Sequence, residues 1–254
     1  MKYKIMDIEK LKLEAQNKAL NITDVSGSAL FNADCMDILP IIPDKSVQLI
    51  LADLPYGTTA NKWDSIIPLE PLWEEYKRII KDNGAIVLFG AEPFSTMLRY
   101  SNIEWYKYDW IWVKSRKTGF LNSKKMPIKA HENILIFYKK LPKYNPQKTS
   151  GHKPVNSFTK TIEKQNSNQI YGKANQEIIG GGNTDRFPRS VIEFSSDKQK
   201  SSLHPTQKPV ALLEYFIKTY TNEGDLVLDN CAGSGTTGIA AEICGRNSIM
   251  IEKE

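Results

Sequence analysis

A chain of 254 residues, 41% apolar and 25% charged, has an ordinary globular composition and room for one sizeable core with an inserted lobe. No apolar run reaches the roughly 20 residues of a membrane helix, the first residues lack the apolar core of a secretory signal, and three cysteines without a CxxC pair argue against a disulfide or zinc framework, so a reduced, cytoplasmic protein is expected. The net charge of +5 is concentrated: residues 140–203 hold nine lysines and two arginines against five acids.

In chain order, residues 1–28 read as a weak helix and a polar connector without an assignable role. Short apolar runs then alternate with amphipathic helical patterns. Residues 46–52 form a continuous strand-like run ending at Asp53. Leu69, Leu72, Trp73, Tyr76, Ile79 and Ile80 repeat at helical spacing, with Gly84 as the expected stop. Residues 85–89, 105–113 and 133–138 read as further strands, their Trp105, Trp110, Trp112, Tyr106 and Tyr108 serving as core or sheet-face residues. At Lys140 the periodicity stops. A polar, basic stretch runs to residue 203, too long for a structureless loop in a compact domain, and reads as an inserted lobe. It fits a phosphate-binding surface or a merely solvated one. Regularity returns with Pro209, Leu212, Leu213, Phe216, Ile217 and Tyr220 on one helical face, followed by a strand at 226–228, a glycine turn, a helix to about Cys244 and a strand at 248–251. The organisation is thus a segment 1–28, a first half 29–139, the insertion 140–203 and a second half 204–254. Strand–helix alternation predicts an α/β protein, its sheet mostly parallel and covered on both faces.

The turn at 229–238 places Gly233, Gly235 and Gly238 as GxGxxG between a strand and a helix, where glycine permits a tight turn and close ligand approach. Glu252 lies 19 residues beyond Gly233 at the end of the next strand, where a carboxylate can accept from ribose hydroxyls. Thr236 and Thr237 stand where a P-loop needs lysine, which disfavours ATP. For NAD, more strands should follow the first βαβ unit, whereas here they precede the glycines, so the order is circularly permuted. Asp229 suits a cationic methionyl group better than a pyrophosphate. S-adenosylmethionine is therefore favoured over NAD, with a purely structural turn as the plain alternative.

The second informative loop is Asp53-Leu54-Pro55-Tyr56. Pro55 holds Leu54 extended, so the Leu54 carbonyl and Asp53 carboxylate can together accept both hydrogens of an exocyclic amine. Tyr56 offers a face for a base extruded from its helix. A strand-ending turn explains the same four residues when they are taken alone.

Taken together, these segments resemble the permuted, beta-group S-adenosylmethionine-dependent DNA amino-methyltransferases, which modify adenine N6 or cytosine N4. Asp53-Leu54-Pro55-Tyr56 is similar to their catalytic motif, (D/N/S)PP(Y/F/W), and residues 229–237 to their cofactor motif, DPFxGSGTT. The HPTQKP segment at 204–209, Phe31-Asn32-Ala33-Asp34 and His131-Glu132-Asn133 resemble further family segments. The resemblance spans about residues 30–254 and implies a Rossmann-like methyltransferase fold, with Asp53, Leu54, Pro55 and Tyr56 as catalytic residues. It implies Asp34, Asp53, Thr206, Lys208, Asp229, Cys231, Gly233, Ser234, Gly235, Thr236, Thr237 and Glu252 as cofactor-binding residues. His131, His152 and His204 are widely separated and lack metal-site spacing, so no metal is expected. Residues 140–203 lie where the family places target recognition, so Lys143, Lys148, Lys153, Lys160, Lys164, Lys173, Arg186 and Arg189 are expected on double-stranded DNA. A homodimer and a partner restriction endonuclease accompany the resemblance. Leu54 replaces the motif's first proline, and Asn230 and Cys231 replace its Pro and Phe. Asp at position 53 points to adenine N6. Cytosine N4 stays open, as does a catalytically silent DNA-binding module. Cytosine C5 chemistry needs a Pro-Cys nucleophile, and the sequence has no such dipeptide.

Overall fold

The computed structural model describes residues 21–25, 27–57, 64–155, 158–160, 178–195 and 207–253. Strands β1 (Asn21–Val25) and β2 (Ser28–Asn32) form an antiparallel pair where a connector was expected. Asp34 accepts from the Met36 amide and caps the short helix α1 (Cys35–Ile38). Next come β3 (Val47–Ala52), α2 (Leu69–Ile79) and β4 (Ile80–Gly90). Helix α3 (Phe94–Ser101) leads to the long strands β5 (Tyr106–Thr118) and β6 (Lys129–Phe137). Strands β7 (Phe158–Lys160), β8 (Ile178–Gly180) and β9 (Val191–Phe194) precede α4 (Val210–Tyr220), β10 (Leu226–Asp229), α5 (Thr236–Ile243) and β11 (Asn247–Glu252).

Nine strands form one sheet in the order β1-β2-β11-β10-β3-β4-β6-β5-β9. Strands β2, β11, β10, β3 and β4 pair in parallel, whereas β6 runs antiparallel to both β4 and β5. Every residue of β3 is buried, as a central strand covered on both faces requires. Ile50 and Ala52 pack with α1, α2 and α3 on one face, while Leu49 and Leu51 pack with α4 and α5 on the other. Trp110 and Trp112 belong to this second core layer and Trp105 to the first.

The centre of the sheet positions the site. From β10 the chain crosses to β11 on one side; from β3 it crosses to β4 on the other. Adjacent strands whose connections diverge leave a crevice at their carboxyl ends, where α/β sheets bind ligands. One neighbour ends at Asp229, and the other runs directly into Asp53.

Three local expectations are corrected. Gly84 does not stop α2: Ile80 is already extended and opens β4, and Gly84 lies inside that strand. An added Cβ there would meet Ile80 Cγ1 at 2.7 Å and the Gln48 carbonyl at 2.9 Å, so close packing requires the glycine. Strands β5 and β6 extend as a hairpin well past the stretches 105–113 and 133–138. Residues 191–194 lie within the stretch read as the insertion, yet they form the sheet's edge strand, parallel to β5, with the Trp112 indole donating to the Phe194 carbonyl at 3.1 Å.

The chain divides into two compact units, residues 1–145 with 190–254, and Pro146–Arg189. The second unit is narrower than 140–203, because Asn145 binds the Lys218 and Thr221 carbonyls at the end of α4. Pro146–Arg189 contains the antiparallel pair β7–β8 and a bridge between Thr149 and Arg186. Among the described residues no helix is long and apolar enough to cross a membrane, and no group of three His, Cys, Asp or Glu residues could hold a metal ion.

Candidate active site

A cavity of about 700 Å³ opens at the β10–β3 crevice, within the first unit. Its wall includes Asp53, Leu54, Pro55 and Tyr56 from the loop after β3, and Asp229, Cys231, Gly233, Ser234, Thr236 and Thr237 from the glycine turn. Asp34, Lys208 and Glu252 also line it. Two stretches separated by most of the sequence thus face one space. Gly235 is not part of the wall; it caps α5 in a left-handed conformation with φ 74°. Gly233 is left-handed too, at φ 52°, and a Cβ at either position would enter open space. Thr206 and His204 lie outside the described residues.

The glycine turn is braced from below. Asp229 is buried and accepts from the Thr237 hydroxyl at 2.6 Å and the Cys231 amide at 3.0 Å. Burial pushes its carboxyl up from 3.8 to about 7, against the pull of these two donors and with further repulsion from Asp53 and Glu252. Glu252 accepts from the Gly233 amide at 2.6 Å, tying the end of β11 to the turn. Asp34 pairs with Lys253 at 2.9 Å, an exposed contact. Tyr76 from α2 donates to Asn230, one of the two residues that depart from the cofactor motif, and the Asn230 amide in turn lies 3.6 Å from the Cys231 sulfur. Gln207 leaves its buried Oε1 without a partner among the described residues.

An acid whose folded pKa lies above its unfolded value contributes stability below the unfolded value and loses it as pH rises through the folded one. Between pH 4 and 7, Asp229 therefore destabilises the ligand-free fold by about 1.4 kcal/mol per pH unit. Thermal unfolding across that window should show Asp229→Asn with a flatter pH dependence than the parent. Parallel curves would remove Asp229 from this role.

On the other side of the cavity, Asp53 is held by two donors. Tyr56 donates its hydroxyl to Oδ1 at 2.7 Å, and the Lys208 ammonium bonds Oδ2. Lys208 also lies 3.4 Å from Glu132, which pairs at 2.7 Å with Lys114. The charges alternate along a row: Lys114, Glu132, Lys208, Asp53. Burial alone would lower the Lys208 pKa, but Asp53 and Glu132 outweigh it and hold the ammonium above its usual range. Burial would likewise raise Glu132, but Lys208 and Lys114 outweigh it and hold the carboxyl low. Tyr56 stacks on Phe94, the first residue of α3, at 5.0 Å and 23°. One ring face is thus backed by protein. Burial pushes the Tyr56 phenol well up, and Asp53 adds to it, so the hydroxyl stays a donor.

Sequence reasoning placed Lys208 at the site but missed both its contact with Asp53 and the roles of Glu132, Lys114 and Phe94. His131-Glu132-Asn133, singled out by resemblance, was the available signal.

The expected DNA contacts are dispersed. Lys143 belongs to the first unit and pairs at 2.7 Å with the largely buried Asp225, so it fastens the fold. Arg186 donates to the carbonyls of Lys153, Asn183 and Asp185 and braces the second unit internally. Lys148 sits 4.5 Å over the Phe187 ring. Lys153 and Arg189 are exposed. Lys160 lies in β7 with its side chain undescribed, and Lys164 and Lys173 fall outside the described residues.

The sequence profile of the family described as DNA methylase matches residues 47–254, most of the chain. The chain belongs to this family. DNA adenine methyltransferase YhdJ of Escherichia coli is 30% identical over 245 residues, spanning 88% of this chain and 77% of that protein. Type II methyltransferase M.HpaI of Haemophilus parainfluenzae is 27% identical over 233 residues, covering 88% and 69% of the two chains. Among solved structures, the cytosine-N4-specific PvuII DNA methyltransferase superposes with a TM-score of 0.63 at 19% identity, over 91% of this chain and 83% of that one. The M1.HpyAVI–SAM complex gives 0.57 at 24% identity, over 89% and 93%. This DNA methylase therefore has the Rossmann-like methyltransferase fold, and its family uses S-adenosylmethionine.

Proposed function

We propose that this DNA methylase transfers a methyl group from S-adenosylmethionine to N6 of an adenine flipped out of duplex DNA at a specific sequence. The observation that carries the reading is the single cavity walled by both the Asp53 loop and the Gly233 turn. The residues fit the cofactor: left-handed Gly233 leaves space where a Cβ would intrude, Glu252 stands at the adjacent strand end, and Gln207 Oε1 offers an unused acceptor. When bound, S-adenosylmethionine supplies a methyl group on a positively charged sulfur. Asp34 and Glu252 would hold the nucleoside end, and Asp229 would offset the positive charge of the sulfur. The chain's own contribution is positioning. Asp53 and the Leu54 carbonyl accept the two amine hydrogens and aim the nitrogen lone pair into the cavity. Tyr56, backed by Phe94, presents its remaining face to the base.

The aspartate at position 53 and the adenine-methylating relative YhdJ support adenine over cytosine. Digesting DNA from cells that express the protein and identifying the modified nucleoside tests this directly: N4-methylcytosine redirects the assignment, and unmodified DNA ends it. Modified-base sequencing of the same DNA maps the target. Pro146–Arg189 is proposed as the target-recognition unit, with Lys153 and Arg189 on phosphates. DNA affinity should then drop at least tenfold between 50 and about 200 mM salt. Salt-independent binding would remove the phosphate contacts from the proposal. A cognate endonuclease is part of the same proposal, supported by the similarity to type II methyltransferases.

A further inference from the structure

The β5–β6 hairpin was not among the expected DNA contacts, yet it combines a cluster of positive charge with exposed apolar side chains. Residues 114–129 contain Lys114, Arg116, Lys117, Lys124, Lys125 and Lys129 and no acid. Every residue from 115 to 129 is exposed. Arg116, Lys117, Lys124 and Lys125 pair with no described carboxylate. At the tip, Phe120 is 77% and Leu121 98% exposed, although both are large apolar side chains. Their outward presentation is built in. Left-handed Gly119 opens a short 3-10 turn, closed by hydrogen bonds from the Asn122 amide to the Gly119 carbonyl and the Ser123 amide to the Phe120 carbonyl.

The hairpin's position decides what such a surface is for. Strand β6 is antiparallel to both β4 and β5, so the β5 C-terminal end points to the edge where β3 delivers Asp53. Its base is tied to the cavity through Lys114, Glu132 and Lys208. Delivering a base to Asp53 requires unstacking a duplex, which is unfavourable on its own. Apolar side chains inserted between base steps lower that cost by filling the vacated stack, and cations beside them hold the flanking phosphates.

Resting on the methyltransferase reading above, we propose that the β5–β6 hairpin is a duplex-opening wedge. Phe120 and Leu121 enter the base stack at the target, and Arg116, Lys117, Lys124 and Lys125 grip the phosphates on either side. Charge complementarity and the shared edge with the cavity select DNA as the occupant.

The test compares wild type with Phe120→Ala/Leu121→Ala on two duplexes carrying the mapped site, one fully paired and one mismatched opposite the target base. Both residues are exposed, so the double variant folds, as unchanged thermal unfolding and cofactor affinity will verify. The variant should lose at least tenfold in single-turnover methylation of the paired duplex and recover to within about threefold of wild type on the mismatched one. A fluorescent base analogue at the target should report less extrusion. Replacing the four cations with glutamine should weaken duplex binding and flatten its salt dependence, which a purely apolar wedge would not do. Wild-type rates on the paired duplex overturn the proposal. So does an equal loss on both duplexes, which would assign the hairpin to general binding. A shift from dimer to monomer in sedimentation, with equal losses, would assign the patch to a second copy of the chain. Flotation of the wild type with anionic lipid vesicles, alongside unimpaired DNA opening by the variant, would assign it to membranes. A wild-type protein inactive on both duplexes would instead defeat the methyltransferase reading itself.

Discussion

Asp53→Ala should lower methyl transfer roughly a thousandfold while cofactor affinity changes by no more than about threefold. Asp53 stands at the end of a wholly buried strand and is held by Tyr56 and Lys208, so its position is fixed before any substrate arrives. Each carboxylate oxygen keeps acceptor capacity beyond the bond it already makes, which is what an exocyclic amine requires. Alanine removes that acceptor and leaves only the Leu54 carbonyl. Asparagine preserves one acceptor and the volume, so Asp53→Asn should fall between alanine and the parent. Single-turnover rates with labelled methyl donor, beside calorimetric cofactor titration, separate the two effects. An alanine variant with the parent's rate would end the catalytic assignment, whereas a joint collapse of rate and affinity would recast Asp53 as a cofactor ligand.

The second large effect is expected at Lys208. Its ammonium stands between Asp53 and Glu132 and lies 5.0 Å over the Phe89 ring, with only 11% of the side chain exposed. Lys208→Met fills similar volume but leaves two largely buried carboxylates facing each other. Removing one partner of a buried pair costs about 3–5 kcal/mol. The pH window follows from the shifts. Glu132 is held below its usual value, so its stabilisation is present above the unfolded carboxylate pKa and fades as pH falls; Lys208 is held above its usual value, so its share fades only in strong alkali. The stability gap between parent and variant should thus be widest near neutrality and close as pH drops below about 4.5. Chemical denaturation at several pH values measures it. Lys208→Met/Glu132→Gln should lose less than the two single variants combined, because each single variant already forfeits the same Lys208–Glu132 attraction, and removing Glu132 also relieves its repulsion of Asp53. Simple additivity would mean that the row of charges is not coupled.

The two loops that wall the cavity and the central strands were legible in the sequence because both announce themselves locally. Buried strands read as apolar runs, and a glycine turn between a strand and a helix has a fixed spacing. What escaped lacks a local signature. The bond from Lys208 to Asp53 spans 155 positions, and neither residue's neighbours name the other. Strand β9 has only four residues, none fully buried, so its periodicity sinks into the polar stretch around it. The extension of β5 and β6 is likewise hidden, because lysines and arginines in an exposed hairpin mimic a loop. Arg186 looked like a DNA contact from its charge alone, although its guanidinium is spent on three backbone carbonyls.

The alternating row from Lys114 to Asp53 also bears on how relatives can diverge. Because each charge is bracketed by its opposites, exchanging one member alone exposes its neighbours. Tolerated change should come in compensating pairs: a homologue with a neutral residue in place of Lys208 should also have lost the acid at the position of Glu132. Covariation between these distant positions would therefore track an electrostatic constraint inherited with the fold, even where the recognised DNA sequence has drifted.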